Sequence, residues 1–152
     1  MQHNLGFIIK QLRNDIFSHD IINLVSDFIK NRPLSNISIF TGGCDAIDTK
    51  MVPVLHISHA SHFPAHIVAL DLDSLIFSAT FVQKQGLTYY AQSIPWANKI
   101  YDYSYLKQLF SPKVVNNILS ANTDIANMYT KFFNYEPRIY EKLTYGGLYE
   151  TI

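Results

Sequence analysis

Hydrophobic positions along this chain fall into two alternating patterns. Short continuous runs rich in Ile, Val, Phe, Tyr and Leu recur from end to end: Leu5-Gly6-Phe7-Ile8-Ile9, Asn36-Ile37-Ser38-Ile39-Phe40, Val52-Pro53-Val54-Leu55, His66-Ile67-Val68-Ala69-Leu70 and Leu87-Thr88-Tyr89-Tyr90. Val114 to Leu119 and Arg138-Ile139-Tyr140 complete the series. Between them lie stretches with helical spacing, such as Ile21, Leu24, Val25, Phe28 and Ile29. Continuous apolar runs separated by amphipathic helices predict βαβ units and a largely parallel sheet, because a strand covered on both faces needs no polar side. The expected architecture is α/β: a single Rossmann-like domain over residues 1–152, with a mostly parallel sheet of about six or seven strands and helices on both faces.

The polar positions set the expected boundaries. Strands are predicted over Leu5–Lys10, Ser35–Thr41, Val52–Ile57, His66–Asp71, Leu87–Gln92, Val114–Leu119 and Pro137–Glu141. Ser18 or Asp20 is expected to cap the first helix, which Asn31-Arg32-Pro33 stops. Gly42-Gly43 forms a turn, followed by a polar loop over Cys44–Lys50. His59–Pro64 reads as a turn. Asp73 or Ser74 is expected to start a helix running to Val82 and ended by Gly86. Ser93–Asn98 is a loop carrying the one tryptophan, Trp96. Tyr103–Phe110 is a short helix, stopped by Ser111-Pro112. Thr123 is expected to cap a helix to Asn134 that carries Ile125, Met128, Tyr129, Phe132 and Phe133. Tyr145–Ile152 adds a final turn.

Composition narrows the classes of function. With 152 residues, 48% of them hydrophobic, the chain can build a substantial core. Twelve basic and twelve acidic residues balance, which argues against a strongly basic nucleic-acid surface. The aromatic share, 14%, is high enough that rings left at the surface would favour a partner protein. A single cysteine, Cys44, forms no internal disulfide, and no signal-peptide pattern opens the chain. A reducing cytosol is the expected compartment, with no membrane span.

Candidate chemistry gathers where strands end, the edge at which open parallel sheets hold their ligands. Lys10, Arg13, Asp71, Ser93 and Asn122 are expected to share one rim if the strands are parallel. Asp71-Leu72-Asp73-Ser74 offers two carboxylates for sugar hydroxyls or a diphosphate-bound metal, although the favoured account is simpler: Asp73 caps its helix and Asp71 ends the strand. Gly42 and Gly43 would let backbone approach a phosphate. The turn after the first strand, Lys10 to Asp15, lacks glycine, so standard nicotinamide or flavin dinucleotide binding is not expected, and no cofactor is assigned. Trp96 on its proline-stiffened loop suits stacking on a base or sugar, or folding back over the core. His56, His59, His62 and His66 cluster in sequence, but Pro64 breaks the helix that would align them, and no metal is assigned. No nucleophile elbow or phosphate-binding loop motif occurs.

The succession "SNISIFTGG", "AHIVALDLDSLIFSATF", "LTYYAQSIPW" and "NNILSANTDIANMYTKFF" resembles the small proteins of tailed phages, especially those infecting marine cyanobacteria. Those proteins in turn resemble one Rossmann-like half of a GT-B glycosyltransferase. In that family the strand corresponding to Leu87–Gln92 leads into an acidic, tryptophan-containing stretch; here it reads Ala91 to Trp96, with one tryptophan and no acid. The resemblance implies a nucleotide or nucleotide-sugar at the strand ends, and a host-cytoplasmic location. GT-B enzymes close their cleft between two such domains, so catalysis would call for a homodimer or a partner protein. The alternative is a non-catalytic phage protein, a virion component or host-directed factor acting through protein–protein contact.

Overall fold

Seven parallel strands form one sheet in the computed structural model, which describes residues 4–81 and 86–152. The elements run β1 (Leu5–Ile9), α1 (Ile16–Asn31), β2 (Ile37–Thr41), β3 (Val54–His56), a 3-10 turn (Ile57–His62), β4 (His66–Ala69) and α2 (Leu72–Ala79). The second half continues with β5 (Leu87–Ala91), a 3-10 turn (Pro95–Ala97), α3 (Tyr103–Leu109), β6 (Asn117–Ser120), α4 (Thr123–Phe133), β7 (Arg138–Ile139) and α5 (Tyr145–Tyr149). Strand order is β3-β2-β1-β4-β5-β6-β7. This is the doubly wound, Rossmann-like arrangement, extended by one short edge strand.

The apolar runs are explained by burial on both sides. All five residues of β1, β2 and β5 are buried, whereas β3 and β7, at the edges, are mostly exposed. Alternate residues serve opposite faces. Phe7 and Ile9 of β1, Val68 of β4 and Tyr90 of β5 pack with Ile21, Val25 and Phe28 of α1 and Leu148 of α5. Ile8, Ile67, Tyr89 and Ile118 pack on the other face with Leu75 of α2, Leu109 of α3 and Tyr129 of α4. Gly6 has a steric role in β1. A Cβ there would lie 2.8 Å from Ile67 Cδ1 and 3.2 Å from a Phe40 ring carbon, so glycine lets two neighbouring strands close their side chains over it.

The helix starts differ from the predicted ones: in α2 and α4 the cap is the first polar residue after the strand ladder stops, whereas in α1 it lies five residues beyond Lys10, the first polar residue after β1. Asp15, not Ser18 or Asp20, caps α1, its carboxylate accepting from Ser18 N at 2.8 Å. Apolar periodicity hid this, because the first-turn residue Ile16 is 83% exposed and lies off the buried stripe. Asp71, not Asp73 or Ser74, caps α2, and Asn122, not Thr123, caps α4. Helix α2 ends at Ala79 with Thr80 as its cap; the expected end at Val82 lies outside the described residues. Gly86, at φ +97°, therefore does not cap α2; it delivers the chain into β5, its carbonyl accepting from Ile67 N. Strand β6 starts at Asn117 rather than Val114. The amides of Val114 and Val115 both donate to the Ser111 carbonyl, which holds that segment in a turn. The turn expected over His59–Pro64 is largely 3-10 helix, ending two residues before Pro64.

Candidate functional site

Crossovers decide where this sheet opens. After β1 the chain leaves towards the face of α1, and after β4 towards the opposite face, that of α2. Strands β1 and β4 are hydrogen-bonded neighbours, Leu5 to Ile8 pairing with His66 to Ala69. Two adjacent strands whose connections diverge leave a crevice at their carboxyl ends. A cleft of about 400 Å³ occupies that position. A volume of this size lies within the roughly 300–1,000 Å³ range of small-molecule sites.

Each wall has an identifiable origin. The segment after β1 brings Lys10, Gln11 and Arg13, and the start of α1 adds Asp15 and Phe17. Asp71 and Asp73 come from the β4–α2 junction. The segment after β5 closes the third side with Gln92, Asn98, Lys99 and Tyr101.

The carboxylates are held by local bonds. Asp71 Oδ1 accepts from Ser74 N at 2.8 Å, while its Oδ2 accepts from the backbone N–H of Lys10 at 2.7 Å. One side chain thus caps α2 and ties β4 to the end of β1. Asp73 pairs with Lys10 Nζ at 2.6 Å. The hydrogen bond to Asp73, followed by its charge, holds the Lys10 ammonium above its ordinary pKa, with smaller support from Asp71. Asp15 is engaged by Ser18 N, and the Ser18 hydroxyl accepts from Arg13 N at 3.0 Å. The acids of the cleft are therefore matched to N–H groups or to Lys10. Arg13 and Lys99, both exposed, enter no ion pair among the described residues. A cleft whose carboxylates are already engaged and whose two remaining cations are unpaired is suited to an anionic group such as a phosphate.

The expected rim is met in part. Lys10, Arg13, Asp71 and Asp73 come together in the cleft. Gly42 and Gly43 lie behind it instead of lining it. Gly42 N donates to the Lys10 carbonyl, and the Gly43 carbonyl accepts from Leu12 N. A Cβ would lie 3.0 Å from Lys10 O at Gly42 and 2.3 Å from Gln11 Oε1 at Gly43. These glycines allow two segments of the chain to approach each other, and their contacts are with protein. Ser93 and Asn122 also stand outside the cleft lining, and the Asn122 side chain accepts from Ile125 N at 2.9 Å.

Trp96 turns inward. Its ring lies 4.9 Å from Tyr129 and 5.1 Å from Phe133, both edge-on, in a block that includes Phe110. Beneath it the Tyr129 hydroxyl donates to that of Tyr89 at 3.3 Å, and burial pushes both phenols well above their ordinary pKa. Trp96 thus anchors the segment that carries Asn98 and Lys99, and Pro95 of its own turn reaches the cleft.

The four histidines do not assemble. His56 Nδ1 meets Ser58 Oγ at 2.8 Å, His59 and His62 sit on the 3-10 turn, and His66 Nε2 meets Thr88 Oγ1 at 2.9 Å. No group of three His, Cys, Asp or Glu side chains among the described residues is placed to hold a metal ion. No helix among them is long and apolar enough to cross a membrane.

Gln92, Lys99 and Tyr101 were absent from the expected rim. The available signal was their place just beyond the fifth strand, where a polar or cationic residue follows each turn. Comparison with known proteins finds no matching family model, curated protein or solved structure.

Proposed function

We propose that the cleft between β1 and β4 binds a nucleoside diphosphate or a nucleotide-sugar, and that the chain is a glycosyltransferase-like domain. The observation that carries this reading is the pair of unpaired cations, Arg13 and Lys99, lining a cleft of about 400 Å³ at the switch point of a doubly wound sheet. Lys10 is engaged by Asp73, so the charge of a diphosphate falls to Arg13 and Lys99. Asp73 and Asp71 then supply acceptors for ribose or sugar hydroxyls. In a transfer reaction the bond from the sugar to the diphosphate breaks, an acceptor hydroxyl takes the sugar and loses its proton, and the two cations offset the charge left on the departing diphosphate.

Thermal melts test this. Nucleoside diphosphates and their sugar conjugates at saturating concentration should raise the midpoint, because a ligand at a hundred times its Kd adds about 2.7 kcal/mol. Arg13→Ala should remove the rise. A panel that moves no midpoint contradicts the reading.

A second reading has its own observation. Ile16 is 83% exposed and Ile100 fully so, and both sit beside residues that line the cleft. Apolar residues at the lip favour a covering surface, either a second copy of the chain or a partner protein that completes the cleft. Light scattering over a dilution series distinguishes them: a dimer that persists, and that Ile100→Asp dissociates, supports the homodimer.

A further inference from the structure

A second hollow of about 270 Å³ lies beside the first, on the α1 face of the sheet. Its floor is Tyr90 of β5 and Ala121 beyond β6, and its walls are α1 and the segment after β7 that carries Glu141 to Leu143. Phe17 and Gln92 line both hollows, so the two are neighbours with these side chains between them. The partition is held in place. The Gln92 carboxamide donates to the Leu70 carbonyl at 3.2 Å, and Phe17 stacks on Tyr90 with ring centroids 6.4 Å apart.

The two hollows differ in charge. Lys142 Nζ meets Asp20 Oδ1 at 2.6 Å, which cancels the one cation of the second hollow. Glu141 is exposed, and its carboxylate enters no hydrogen bond or ion pair among the described residues. Its backbone is fixed, because the Tyr90 hydroxyl donates to the Tyr140 and Glu141 carbonyls at 3.0 and 3.2 Å. The second hollow therefore repels an anion and offers acceptors beside apolar wall. A neutral ring with an apolar face and several hydroxyl donors matches it, and the volume suits one such ring better than a whole nucleotide.

We infer that the second hollow receives the glycosyl ring of a nucleotide-sugar whose diphosphate sits in the first. This rests on the nucleotide reading of the first cleft. Glu141 accepts from ring hydroxyls, and Phe17 covers the ring's apolar face.

The experiment is calorimetric titration of the full chain with matched pairs: UDP and UDP-glucose, GDP and GDP-mannose, ADP and ADP-glucose. Each plain diphosphate carries more negative charge than its sugar conjugate, so charge alone favours the plain form. In at least one pair the sugar conjugate should bind about tenfold more tightly, the worth of a good hydrogen bond to a charged acceptor. Glu141→Gln should erase that difference while leaving the plain diphosphate within about twofold. Ala121→Leu, which fills the hollow with methyl groups, should do the same. Diphosphate binding with no preference for any sugar conjugate, or a loss shared equally by both members of a pair, overturns the inference and leaves the nucleotide reading standing. Absence of binding by all six compounds overturns both.

Discussion

Two strand ends in this protein are alike in sequence and unlike in outcome. Asp71-Leu72-Asp73 follows β4, and Asn122-Thr123-Asp124 follows β6. Each begins with an extended residue whose side chain caps the next helix, Asp71 to Ser74 N and Asn122 to Ile125 N, and each places an acid in the first turn. The first lines the cleft between β1 and β4, and the second does not. The difference comes from the neighbouring strand. Next to β4 the chain leaves β1 for the opposite face, and the divergence opens a crevice into which Lys10 and Arg13 project. Next to β6 the chain leaves β5 on the same face as α4, since the helices after both strands pack on Tyr89 and Ile118. That region is filled by Trp96, Phe110, Tyr129 and Phe133. An acid at a helix start gains a place in a cleft from topology, and its own sequence neighbourhood is silent on the matter.

The filled region should be the more sensitive to truncation. Phe110→Ala removes a ring in contact with Tyr89, Trp96, Tyr129 and Phe133, and should cost about 3–5 kcal/mol in denaturant unfolding. A cost near zero would mean that the aromatic block is loosely packed and the contrast with the cleft is overstated. The two caps come next. Asp71→Ala loses the cap of α2 and the acceptor for Lys10 N together, an expected loss of about 2–3 kcal/mol, against about 1 kcal/mol for Asn122→Ala, which loses a cap alone. Equal losses would show that the bond across β1 and β4 contributes nothing.

Alkaline pH separates the regions further. Burial raises the pKa of Tyr89 and Tyr129 in the folded state, so their contribution is intact below about pH 10, the pKa of an unfolded tyrosine, and declines as pH rises beyond it. The decline is about 1.4 kcal/mol per pH unit for each phenol that titrates only on unfolding. Tyr129→Phe should make the fall in melting temperature between pH 10 and 11.5 shallower; an unchanged slope would place the alkaline transition elsewhere. The smallest effect belongs to the exposed Lys10–Asp73 pair. Lys10→Ala should leave the unfolding midpoint unchanged within error, since exposed ion pairs are screened. A clear drop would identify the pair as structural.

Much of the fold was legible in the sequence because its strands are buried on both faces, which turns each into an uninterrupted apolar run. The central runs of β1, β2 and β5 are the plainest cases. Helix starts were misplaced by one to five residues, since the end of a strand's hydrogen-bond ladder carries no marker of its own: Asp71 reads equally well as last strand residue or first cap. The site was legible at Lys10, Arg13, Asp71 and Asp73, which follow the two strands that flank the opening. Strand order is a non-local property, and nothing local in His66–Ala69 says that it lies against β1 instead of β3. The expected rim therefore extended to Asn122, which follows a strand whose neighbour does not diverge. The direction of Trp96 was equally hidden, because it depends on Tyr129 and Phe133, more than thirty residues further along the chain.

The most direct test of the central claim is an amide chemical-shift titration with UDP. The account predicts shifts at Gln11, Arg13, Leu72 and Lys99, around the ends of β1 and β4, with Thr123 and Asp124 unmoved. Shifts confined to the β6–α4 junction, or none anywhere at millimolar UDP, would contradict it.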